Sequence, residues 1–204
     1  MLFDDTYKTL KKISEGIFRD KGSKFIGYAY PIQSEAEVKA ILTQLRNDHP
    51  KARHFCWALR VSPDRSVFRI NDDGEPSGTA GRPILNTLLS YDLTNVLIVV
   101  VRYFGGTLLG VPGLINAYKS ASMEAIHANE VISKTVNDVY EIEFDYLLMN
   151  EVMSILKNEQ LTTLSQEFDT SCMIRFEVRK ANLNAVLGKF EKIAGLTIKY
   201  LYTA

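Results

Sequence analysis

The sequence predicts an α+β protein of two domains, and three observations carry that prediction. The run "VLIVVV" (96–101) places six apolar residues in a row, which suits a central strand buried on both faces. The hydrophobic rhythm changes near residue 135. After that point the elements follow the order β-α-β-β-α-β, the split βαβ or ferredoxin-like arrangement. The expected domains are 1–134 and 135–204, with the short polar stretch "ISKTVND" near 132–138 as the linker.

The elements follow in order. Lys11–Phe18 and Lys24–Tyr30 read as strands joined by the turn "RDKGS". Ser34 and Glu37 have capping-box spacing, and Val38, Ile41, Leu42 and Leu45 keep the i, i+3, i+4, i+7 pattern of a helix that Pro50 stops. "HFCWALRV" and "SVFRI" flank "SPDR" as a hairpin. The loop Asn71–Arg82 leads to a short helix with Pro83 near its start and Ile84, Leu85, Leu88 and Leu89 on one face. The strand "NVLIVVV" and a helix over about Val111–Asn129 complete the first domain.

In the second domain "VYEIEFDY" alternates, with Tyr140, Ile142 and Phe144 on one side and Glu141, Glu143 and Asp145 on the other. Leu148, Met149, Val152, Ile155 and Leu156 mark a helix. Strands over Thr162–Phe168 and Cys172–Val178 are separated by "DTS". Leu183, Val186, Leu187 and Phe190 mark a second helix, Gly195 takes its C-cap, and "LTIKYLY" closes the sheet. The open sheet face carries Glu141, Glu143, Arg175 and Glu177, a solvated charge pattern without the aromatic platform of an RNA-recognition motif.

Bulk properties exclude several classes. The 204 residues are 46% hydrophobic and 24% charged, with zero net charge, so no global field recruits nucleic acid or an anionic membrane. Residues 1–134 hold 17 basic and 14 acidic side chains and the remainder 7 and 10; this +3 and −3 split supports a local basic patch at most. No apolar run is long enough to span a bilayer. The acids at the start argue against a secretory signal, and Cys56 and Cys172 lie far apart without a CxxC, so a reduced, cytoplasmic location is expected. Both cysteines read as small core residues. No paired-histidine spacing or cofactor fingerprint occurs, so neither metal nor cofactor is expected.

Three stretches stand out chemically. "NDDGEPSGTAGRP" is a long loop with three glycines and two prolines. Gly74, Gly78 and Gly81 allow close backbone approach, while Asp72, Asp73 and Glu75 offer acids, bases or hard ligands. The same residues also make an ordinary connector. In "RYFGGTLLG", Arg102 and Phe104 share one side of a strand end and Tyr103 the other. Gly105 and Gly106 then bare backbone N–H groups just before a helix, an arrangement that suits a phosphate or carboxylate. The alternative is that the rings complete the core and the glycines only turn the chain. In "KARHFCWAL", His54, Cys56 and Ala58 share one face and Phe55 and Trp57 the other. His54 beside Cys56 raises a thiolate reading, against a hydrogen-bonded structural histidine.

Taken together, "KGSKFIGYA", "RHFCWAL", "NDDGEPSGTAGRPIL" and "VLIVVVRYFGGTLLGVPGLINAY" resemble the IMPACT/YigZ family over essentially the whole chain. The resemblance implies a first domain like the second domain of ribosomal protein S5, and a ferredoxin-like second domain similar to a C-terminal domain of elongation factor G. Eukaryotic IMPACT proteins restrain the kinase that phosphorylates a translation initiation factor, by competing for its activator. Bacterial members lack that kinase pathway. The resemblance thus implies regulation of translation by kinship, and nucleic-acid or ribosome binding has been suggested for the group.

The leading expectation is a non-enzymatic cytoplasmic regulator that binds RNA, the ribosome or a translation-factor protein through its first domain. Arg102, the Gly105–Gly106 amides and Lys24 would face phosphates, with Tyr103 or Phe104 stacking. A rival is an enzyme acting on a small phosphorylated or nucleotide-like compound. There Asp73, Glu75 and His54 would move protons or ligate a metal, and the "GTAG" backbone of Gly78, Thr79, Ala80 and Gly81 would cradle the anion, with Gly74 among the binding candidates beside it. A third expectation is a protein-interaction module whose motifs only shape the fold.

Overall fold

The computed structural model describes residues 5–62, 64–169 and 171–203; Pro63 and Thr170, within the two expected turns "SPDR" and "DTS", lie outside the described residues. In chain order the elements are β1 (Thr6–Leu10), β2 (Ser14–Asp20), β3 (Ser23–Pro31), α1 (Val38–Asp48), β4 (His54–Val61), β5 (Val67–Asn71), α2 (Gly81–Ser90), β6 (Val96–Tyr103) and α3 (Gly110–His127). They continue with β7 (Val131–Thr135), β8 (Asn137–Phe144), α4 (Met149–Asn158), β9 (Thr162–Phe168), β10 (Cys172–Arg179), α5 (Leu183–Phe190) and β11 (Thr197–Thr203). Two compact units result. Tyr7–Lys134 form the first, and residues 5–6 join 135–203 in the second.

The first unit is built on an antiparallel sheet of order β2-β3-β6-β4-β5. The six-residue apolar run puts β6 at its centre, and Val96 to Val101 are all fully buried. Alternation divides their side chains between two cores. Val96, Ile98 and Val100 pack with Ile84, Leu85 and Leu88 of α2 and with Leu114, Ala117, Tyr118 and Ala121 of α3. Leu97, Val99 and Val101 pack on the other face with Val38 and Leu45 of α1. Burying six side chains of this size is worth roughly 1.5–3 kcal/mol each relative to exposure.

Helix α1 has the expected start. The Glu37 carboxylate accepts from the Ser34 amide at 3.0 Å and from the Gln33 amide at 2.7 Å, closing the capping box over a short 3-10 turn. Gly16 and Gly27 are cross-strand partners in β2 and β3. A Cβ on Gly27 would stand 2.3 Å from the Ala121 carbonyl oxygen, so only glycine lets α3 lie this close to the sheet.

In the second unit the sheet order is β11-β8-β10-β9, the order the split βαβ arrangement requires. Its core gathers Ile142, Phe144, Val152, Ile174, Phe176, Val186 and Phe190. Arg175 bridges Glu141 across the β8–β10 ladder at 2.6 Å, as expected of a solvated open face. Arg179 holds the buried Asp5 carboxylate by two bonds of 2.7 and 2.8 Å, fastening the described N-terminal residues to this unit.

Four details differ from the sequence reading. The "RDKGS" turn is tighter: β2 and β3 extend to Asp20 and Ser23, and Lys21 and Gly22, with φ of 44° and 79°, make the hairpin turn alone. The proposed linker is not a loose connector, because Val131–Thr135 pairs with Thr6–Leu10 and β8 begins at Asn137. β1 has no counterpart in the sequence reading, since "TYKTL" is short and half polar. Helix α5 ends at Phe190, so Gly195, with φ of 89°, serves the turn into β11 rather than the helix C-cap.

Candidate functional site

The β-ladders bring the unusual stretches together at one end of the first sheet. Arg102 is the register partner of both Phe25 and His54, and Tyr103 is opposite Lys24. A cleft of about 520 Å³ opens there, lined by Lys51, Arg53, His54, Arg102, Tyr103, Phe104 and Leu108. Its walls carry three cationic residues and a histidine, with no acidic side chain.

The acidic loop folds inward onto this corner. Asp73 and Gly74, with φ of 39° and 86°, form a tight turn closed by the Glu75 amide donating to the Asp72 carbonyl at 2.9 Å. The Asp72 carboxylate accepts from the amides of Gly78, Ala80 and Gly81 at 2.9, 3.1 and 2.8 Å. It thereby caps the start of α2, where an anion is favoured. Asp73 accepts from the Phe55 amide at 2.7 Å and pairs with Arg46 at 3.3 Å. Thr79 is buried and donates to the Pro76 carbonyl at 2.7 Å. Gly81 is the first residue of α2.

Glu75 and Arg102 form a buried ion pair at 2.5 Å, with side chains 4% and 7% exposed. The same Glu75 oxygen accepts from the Tyr118 hydroxyl at 2.8 Å. The Arg102 guanidinium lies 5.4 Å from the Phe25 ring centre and 5.6 Å from that of Phe104. Cys56 stands beside this network, 3.3 Å from the Tyr118 hydroxyl. Burial pushes both the Cys56 thiol and the Tyr118 hydroxyl well above their ordinary ranges.

His54 is fixed by the loop as well. Its Nδ1 lies 2.9 Å from the Asp73 carbonyl oxygen. A carbonyl only accepts, so Nδ1 carries a proton and Nε2 is the ring nitrogen left for another group. His49 bridges two hydroxyls, Tyr28 and Tyr103, each at 2.8 Å. Tyr103 therefore belongs to the α1-side core, whereas the Phe104 ring is 56% exposed.

Several sequence expectations change accordingly. The Gly105 amide is not bare: it donates to the Ser23 hydroxyl at 3.1 Å. A Cβ on Gly105 would come 2.0 Å from the Gly22 carbonyl carbon, so this glycine exists for close packing against the β2–β3 turn. Gly106, with φ of 88°, faces open space. Arg102 is sealed and paired, and Lys24 is half-buried and is not one of the cleft-lining residues. The thiolate reading of His54 with Cys56 fails, because Cys56 is fully buried and its thiol is held protonated. Asp73 and Glu75 hold structure together and do not line the cleft. Among the described residues, no group of three His, Cys, Asp or Glu side chains is arranged to hold a metal ion, and no helix is long and apolar enough to cross a membrane.

Sequence reasoning missed Lys51, Arg53, Leu108 and Tyr118. The first two had a visible signal, two cations directly before the strand in "KARHF". Tyr118 had none, being one aromatic within a helix.

Comparison with known proteins places this geometry in context. Residues 21–126, which include every cleft-lining residue, match the Impact N-terminal domain. An IMPACT family member of Haemophilus influenzae is 33% identical over 174 residues, covering 84% of this chain and 79% of that one. The IMPACT family member YigZ of Escherichia coli is 29% identical over 177 residues, covering 84% and 87%. A crystal structure of a hypothetical protein superposes with a TM-score of 0.74 at 26% identity, covering 97% of this chain and 98% of that chain. The domain match and the near full-length similarity show that the chain belongs to the IMPACT family.

Proposed function

We propose that this protein is a non-enzymatic regulator acting in translation, and that its first unit binds RNA through the cleft at Lys51, Arg53 and His54. One observation carries the RNA part: the cleft walls hold cations and a histidine, an exposed aromatic ring and no acid. The neighbouring acids are already engaged by backbone amides, Arg46, Arg102 and Tyr118, so they do not offset the field at the cleft mouth. Lys51 and Arg53 are exposed and suit phosphates, while Phe104 offers a face for a base to stack on. Support for the translational part is kinship: eukaryotic relatives carrying the family's name belong to the group whose members, as the resemblance implies, act on translational control.

The test is RNA binding by the full chain across a salt titration. Lys51→Ala and Arg53→Ala are each expected to weaken binding and to reduce the slope of log affinity against log salt by about one. Absence of RNA affinity at low salt would overturn the RNA reading.

A further inference from the structure

We infer that the cleft takes a terminal phosphomonoester, the phosphorylated end of an RNA strand, in preference to an internal phosphodiester. The inference rests on the RNA reading above and narrows its ligand. Three features of the cleft support it.

The first is charge. Arg102 is neutralised by Glu75 at 2.5 Å, so the freely available cations at the walls are Lys51 and Arg53. Two cations on one small cleft match a phosphomonoester, which carries about −1.5 to −2 at neutral pH and three acceptor oxygens. An internal phosphodiester brings a single charge. Proteins that follow a strand spread their cations along a groove, whereas these converge on one cleft.

The second is size and shape. The cleft, about 520 Å³, is in the range of pockets that enclose one small ligand. One wall is made by Phe104 and Leu108, which are 56% and 82% exposed. A sugar–phosphate chain gains nothing by running over that apolar wall, but a terminal base stacks on it.

The third is the histidine. The Asp73 carbonyl fixes the Nδ1–H of His54, leaving Nε2 to serve the ligand. A phosphomonoester exchanges protons near neutral pH and can share one with an imidazole; a phosphodiester has none to share.

The experiment compares one short single-stranded RNA in three forms, with a 5′-phosphate, with a 3′-phosphate, and with hydroxyls at both ends, by fluorescence anisotropy on the full chain. A nucleoside monophosphate and inorganic phosphate serve as competitors. One phosphorylated form is expected to bind at least about tenfold more tightly than the hydroxyl-ended strand, the equivalent of one added charge-assisted contact. His54→Ala is expected to remove that preference, and Arg53→Gln, an exposed site that leaves the loop contact intact, to reduce it. Equal affinity for all three forms overturns the inference and leaves the RNA reading standing. No affinity for any form overturns both. Binding of the mononucleotide alone also overturns it, because the phosphate then belongs to a free metabolite rather than to a strand end.

Discussion

Glu75→Ala is expected to be among the most damaging single changes in the first unit. Its Oε1 accepts from Arg102 at 2.5 Å and from Tyr118 at 2.8 Å, and all three side chains are buried. Removing one partner of a buried ion pair leaves an uncompensated charge, which costs about 3–5 kcal/mol. The Tyr118 hydroxyl keeps its contact with the Cys56 thiol but loses its acceptor, and that cost falls within the same loss, since the two donors share one acceptor. With a urea slope of about 2 kcal/mol per molar, a loss of about 4 kcal/mol moves the unfolding midpoint down by roughly 2 M. The chain has a single tryptophan, Trp57 in β4, so its fluorescence reports the first unit. Glu75→Gln keeps an oxygen for both donors and removes only the charge, and is expected to cost less than alanine. The double variant Glu75→Met with Arg102→Met removes both charges and is expected to recover most of the loss. A midpoint shift below about 0.5 M for Glu75→Ala, equivalent to about 1 kcal/mol, would place this pair with exposed salt bridges and refute the reasoning.

Three further outcomes follow from the same packing and hydrogen bonds. Gly105→Ala places a Cβ 2.0 Å from main-chain carbon of Gly22 and is expected to cost more than about 2 kcal/mol, whereas Gly106→Ala meets open space and bears only left-handed strain of about 1–2 kcal/mol; equal costs in urea unfolding would contradict the close-packing role. Both cysteines are buried, and burial raises the Cys56 thiol, so a thiol reagent at pH 8 is expected to label neither in the native protein and both in urea; rapid native labelling of Cys56 would overturn its assignment to the core. The Arg179 guanidinium bonded to Asp5 holds that carboxyl below its ordinary value. A lowered folded-state pKa gives stability that is present above about pH 4 and lost as pH falls further, so Asp5→Asn is expected to flatten the acid limb of unfolding followed by circular dichroism; an unchanged acid limb would show that other carboxylates govern it.

The elements that the sequence announced are those whose local pattern admits one solution. Six apolar residues in β6, the i, i+4 stripe behind Ser34 and the alternation of β8 each fix an element and its buried face without any distant information. β1 and β7 escaped because each has five residues mixing polar with apolar ones, and their pairing joins segments more than a hundred residues apart. The site divides in the same way. "NDDGEPSGTAG" and "RYFGG" were recognisable as unusual because loops and arginines of that kind need partners, but sequence alone did not show that they are partners of each other. Glu75 and Arg102 stand 27 positions apart, and the tight turn at Asp73–Gly74, together with the β4–β6 register, brings them to 2.5 Å. That contact reverses the inference drawn from Arg102 alone: a guanidinium already matched by a carboxylate shapes a cleft floor and attracts anions weakly. The attraction passes to Lys51 and Arg53, whose side chains reach solvent beside it. A cation's meaning is set by what is left over after internal pairing, and that remainder is decided by long-range register.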